Sequence, residues 1–76
     1  MARTGTCIWA VEWVDISVDI AFESLSDAFD YVVNETIGNS EEEAILKELK
    51  ENFSEKGFWA EDWVWCYPIT LYKKGE

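Results

Sequence analysis

The segment Cys7-Ile-Trp-Ala-Val-Glu-Trp-Val-Asp-Ile-Ser-Val-Asp-Ile-Ala-Phe-Glu23 decides the fold class. Its β-branched and aromatic residues favour extended backbone, so it reads as two strands. In the second, Ile16, Val18, Ile20 and Phe22 alternate with Ser17, Asp19 and Ala21, giving one apolar face. The first is apolar on both sides. Trp9, Val11 and Trp13 share one, while Ile8, Ala10 and Val14 share the other with Glu12. If the odd residues meet Val18 and Ile20 in a core, the connecting loop holds an even number of residues, such as Val14 to Ser17, and Glu12 reaches water. The opposite parity buries an unpaired carboxylate, which is costly. The even loop is therefore expected.

Outward from this pair, the periodicity changes. Ser24 precedes Leu25 with Asp27 three residues on, a capping pattern that also sets an acid on the positive end of a helix dipole. Leu25, Ala28, Phe29, Val32, Val33 and Ile37 recur at helical spacing, and Gly38 follows as a left-handed cap. Ser40 with Glu43 predicts the start of a second helix, Ile45, Leu46, Leu49 and Phe53 its apolar stripe, and Gly57 its end. Lys47 and Lys50 offer partial charge relief to Glu43 and Glu51. A last strand runs from Trp63 to Tyr72, with Trp63, Trp65, Tyr67, Ile69 and Leu71 on one face and Val64, Cys66, Thr70 and Tyr72 on the other. Pro68 cannot donate to a ladder, so that strand lies at a sheet edge or breaks there; Lys73 and Lys74 close it with charge. The expectation is a single α+β domain over residues 1–76: a three-stranded antiparallel sheet with two helices on one face, in the order ββααβ.

A chain of 76 residues buries only about 60% of its extended surface, so its core needs large side chains. Five Trp, four Phe and three Tyr supply them. Charge is the second constraint. Sixteen Asp and Glu against six Lys and Arg give a net charge of -10, which opposes direct binding to nucleic acid or to an anionic membrane. The same field attracts a basic protein surface, although acidity also serves solubility alone. The first residues lack the long apolar run of a signal peptide, and no stretch is long enough to span a membrane. A cytoplasmic location is expected, in a host cell if the chain is phage-encoded.

Chemistry finds little to work with. The chain has no histidine, and its four glycines are isolated, so the usual base, nucleophile pairs and phosphate loops are missing. Cys7 and Cys66 supply two thiolates at most, short of a structural zinc site. They read as small strand residues, buried and possible cross-strand neighbours. Glu61-Asp62 beside Trp59, Trp63 and Trp65 superficially suits a sugar site, but so small a domain has little room for the cleft two-carboxylate catalysis uses. Glu41-Glu42-Glu43 lacks the spacing of a calcium loop and reads as an acidic first helical turn. No enzyme, cofactor or metal is expected.

In size, acidity and lack of catalytic residues the whole chain resembles the small anti-defence proteins of phages and mobile elements, of the anti-CRISPR or anti-restriction type. That resemblance implies a non-catalytic, DNA-mimicking inhibitor that occupies the basic groove of a nuclease complex. Independently, the acids Glu41, Glu42, Glu43, Glu48, Glu51 and Glu55 form the candidate partner-binding surface, with Glu61, Asp62 and the aromatic anchor Trp59. A sheet with helices on one face leaves its other face uncovered, so a homodimer whose acidity only gives solubility is the alternative.

Overall fold

The structure, a computed structural model, describes residues 5–72. Six elements follow in the order ββααββ: β1 (Gly5–Trp13), β2 (Ser17–Phe22), α1 (Leu25–Thr36), α2 (Glu42–Glu51), β3 (Phe58–Ala60) and β4 (Val64–Tyr72). The class is α+β, but the sheet has four strands, in the order β2-β1-β4-β3, all antiparallel. The extra strand is Phe58-Trp59-Ala60, too short to carry a period of its own. Lys73 and Lys74 lie outside the described residues.

β1 is an interior strand, paired with β2 on one flank and with β4 along its whole length on the other. Trp9 pairs with Phe22 and Val11 with Ile20, so the odd residues of β1 do share a face with Ile20 and Phe22. The expected even loop is wrong, however. Val14, Asp15 and Ile16 make a three-residue connection, and a bulge restores the parity, since Val11 pairs with Ile20 but Glu12 with Val18. Val18 consequently turns to the face opposite the core.

Both helices lie on the odd face of β1. Ala28 and Val32 of α1, and Ile45 and Leu49 of α2, close over Val11, Trp13, Phe58, Ala60, Val64 and Cys66. Fully burying a side chain such as Leu49 or Phe58 contributes about 1.5–3 kcal/mol. Phe29 reaches Phe53 at 4.9 Å and Phe58 at 5.1 Å, edge to face, and so seals the seam between the helices and β3.

The first cap forms as read: Ser24 Oγ accepts from the Asp27 amide at 3.4 Å. Gly38 follows at φ 94, the left-handed position. The second does not. Rather than Ser40 and Glu43, Asn39 accepts from the Glu41 amide at 2.8 Å, and Glu42 Oε1 accepts from the Gly38 amide at 2.9 Å. Gly57 does not end α2, which stops at Asn52. It sits at φ 124 in a tight bridge with Ser54, against the backbone of β4.

β3 covers only Val64 to Cys66 of β4, so Pro68 falls where β4 has β1 on one flank and, among the described residues, no strand on the other. Beyond Trp9 the ladder continues as a two-stranded ribbon, Gly5 to Ile8 against Ile69 to Tyr72, with none of Gly5 to Ile8 or Ile69 to Leu71 buried. Cys7 faces Thr70 and Cys66 faces Val11, so the two cysteines are not neighbours; Cys66 is buried and Cys7 exposed.

Candidate functional site

Three surfaces compete for attention. The first is the outer side of α2, where sequence concentrated the binding acids. Ile45 and Leu49 fix which side faces outward, leaving Glu43, Lys47, Lys50 and Glu51 exposed. Two lysines therefore stand among the carboxylates, and Lys47 approaches Glu51 at 4.0 Å. Two of the predicted acids are also engaged with backbone: Glu42 holds Gly38, and Glu48 Oε2 accepts from the Glu61 amide. Glu48 and Glu61 are thus brought together, tying the turn before β4 to the helix. Glu41 and Glu55 are exposed at opposite ends of this region.

The second surface is the sheet face away from the helices. Cross-strand partners Trp59 and Trp65 stack there at 6.3 Å and 14°, with 40% and 42% of each exposed. Trp59 therefore lies on the opposite side of the sheet from the helical acids it was expected to accompany. Beside the pair, Tyr67 donates its hydroxyl to Glu12 Oε1 at 2.9 Å. The acceptance of that bond by Glu12, together with desolvation and the carboxylate charge, raises the Tyr67 pKa.

Trp63 was expected on the same face as Trp65 and is not. It belongs to the turn preceding β4, closed by its amide donating to the Ala60 carbonyl at 2.9 Å, and it rotates onto the helical side. There it contributes to the third surface, a cleft of about 200 Å³ at the end of the sheet. Trp13 is its floor, 8% exposed, with Tyr31 edge to face at 6.2 Å and Trp63 at 5.1 Å. The carboxylate residues Asp15, Glu35 and Asp62 complete the lining with Val14 and Ile16.

The frame of this cleft is bonded. The Val14 amide donates to the Trp63 carbonyl and the Ile16 amide to that of Trp13, both at 3.1 Å. Trp63 Nε1 donates to Thr36 Oγ1 at 2.9 Å, locking the indole against α1. Of the predicted site only Asp62 lines the cleft. Sequence reading missed Asp15, Glu35, Trp13 and Tyr31 as a group. The available signal was the repeated pairing of an acid with a tryptophan at a strand end, in Trp13-Val14-Asp15 and in Asp62-Trp63.

Charge is divided unevenly among these surfaces. α1 carries Asp27, Asp30 and Glu35 with no cation, and the described lysines, Lys47, Lys50 and Lys56, all lie on α2 or in the turn after it. Among the described residues, the cations thus stand among the carboxylates of α2 and the turn after it, and none lies on α1 or lines the cleft. Among the described residues, no helix is long and apolar enough to cross a membrane. Set against known protein families, curated proteins and solved structures, the chain finds no match.

Proposed function

We propose that this chain is a non-catalytic binding protein whose acidic side docks on the basic, nucleic-acid-binding surface of a partner protein. The partner class is a CRISPR or restriction nuclease complex, and docking inhibits it by occupying the groove that DNA would fill. The carrying observation is the lack of any cation on α1, whose Asp30 and Glu35 face solvent. Unneutralised carboxylates on a rigid helix attract a lysine- and arginine-rich groove and speed encounter with it.

The test is binding to purified nuclease complexes, with and without their DNA, at low and high salt. Binding should fall steeply with salt, compete with DNA, and weaken in Asp30→Lys more than in Glu43→Lys, whose neighbourhood already holds lysines. Binding that persists beside bound DNA, or ignores salt and Asp30→Lys, rejects the reading.

The stacked Trp59 and Trp65 favour a second reading, a homodimer joined through the open sheet faces. Apolar burial is insensitive to salt screening, so such a dimer would persist at high salt in sedimentation and dissociate in Trp59→Ala/Trp65→Ala.

A further inference from the structure

The end cleft combines two features that recognise one kind of ligand. Trp13, Tyr31 and Trp63, packed edge to face on one another, line it together with three carboxylate residues. Aromatic rings attract a cation through their quadrupole, most strongly where the cation is partly desolvated, and carboxylates add direct charge pairing. An uncharged apolar ligand would leave those carboxylates unused, and an anion would be repelled by them. Among the described residues, no lysine lines the cleft.

We infer that the cleft is the receptor for one ammonium or guanidinium side chain, a lysine or arginine of the protein partner. This deepens the proposed docking function and rests on it for the identity of the partner. Two details favour a side chain on a protein surface over a free amine. Val14 and Ile16 line the cleft while remaining 49% and 65% exposed, an apolar contact area that a hydrophilic amine has no use for. The frame is also fixed before binding by the Val14–Trp63 and Trp63–Thr36 bonds, which limits the ordering cost of seating a long side chain.

The test uses the 15N-labelled protein titrated with Nα-acetyl-lysine methylamide and Nα-acetyl-arginine methylamide at constant ionic strength. The uncharged norleucine analogue and spermidine serve as comparison ligands. The indole N–H signals of Trp13 and Trp63 should shift saturably with the cationic amides and hardly at all with norleucine, while those of Trp59 and Trp65 stay still. Glu35→Gln and Asp62→Asn, both at exposed positions, should each weaken binding about two- to fivefold. Equal shifts from norleucine, equal shifts at Trp59 and Trp65, or full affinity in the double variant would overturn the inference. Tighter saturation by spermidine than by either amide would overturn the assignment to a protein side chain. The two readings also separate: if nuclease complexes bind but the double variant binds them equally well, the cleft assignment fails and the docking reading stands. If the cleft takes the cationic amides but no nuclease complex binds, the docking reading fails instead.

Discussion

Trp63 donates its indole N–H to the hydroxyl of Thr36, which lies 27 residues earlier and is fully buried, at 2.9 Å. Thr36 in turn donates to the Val32 carbonyl at 2.8 Å. One hydroxyl thus joins the last turn of α1 to the turn that opens β4, and orients the indole that walls the cleft. A threonine in a helix can return its hydroxyl to the preceding turn in this way, and here the oxygen keeps a lone pair for a partner in another layer.

Replacing Thr36 by the near-isosteric valine removes the acceptor without opening a cavity. Thr36→Val should cost about 1–3 kcal/mol in urea unfolding, because the indole N–H loses its partner in a part-buried site. Its Trp63 indole resonance should move, while those of Trp59 and Trp65 should not. An unchanged midpoint and spectrum would show that this bond does not hold the turn.

Gly57 and Gly38 both have positive φ, yet they should respond differently to alanine. A Cβ at Gly57 would lie 2.2 Å from the Cys66 carbonyl oxygen, whereas nothing lies within 4 Å of one at Gly38. Gly38→Ala should cost about 1–2 kcal/mol, the price of the left-handed conformation alone. Gly57→Ala must also displace backbone in β3 or β4 and should lose well over about 3 kcal/mol. Equal stabilities of the two variants, by denaturant titration, would contradict the close approach.

Burial pushes the Cys66 thiol up to about 12 from its ordinary 9.0. The thiolate is the reactive form, so native protein should take one equivalent of iodoacetamide rapidly, at exposed Cys7. Cys66 should react only at the rate of unfolding. A raised pKa also means that the folded state holds this proton more tightly. The associated stability is complete below about pH 9 and lost as pH rises towards 12. Cys66→Ala should flatten that alkaline decline; rapid double labelling of the native chain would contradict the burial.

The Tyr67 phenol is likewise raised above its ordinary 10.0, first by its hydrogen bond to Glu12. Its contribution is therefore intact below pH 10 and disappears as pH climbs through the folded value. In an ultraviolet titration Glu12→Gln should bring tyrosinate formation to lower pH. Tyr67→Phe should remove the late-titrating phenol and cost about 0.5–1.5 kcal/mol. A titration curve identical in wild type and Glu12→Gln would discount the pair.

Much of the scaffold was legible because its signals were local. The β-branched and aromatic residues of 7 to 23 announced two strands, and Leu25 to Ile37 carried its own helical period and caps, although nothing local told that the first strand is interior. The errors arose where one residue's role depended on distant chain. The odd loop, Val14 to Ile16, required a compensating bulge in β2, which no local pattern announces. Gly57 resembled a helix stop, but its true demand comes from Cys66 across the sheet. Likewise, acids counted along α2 overstated its charge because Lys47 and Lys50 share its exposed side, whereas the cleft gathers residues from three separate segments. Asp62 alone was common to both.

The unsupported ribbon of Gly5 to Ile8 and Ile69 to Tyr72 sets where the molecule comes apart first. A two-stranded ladder is marginal without a packed face, so amide hydrogens there should exchange ahead of those near Val11 and Val64. Opening then spreads along the ladder towards Trp9 and Pro68, and the cleft, built on Trp13 at the far end of the same strand, is the last region it reaches.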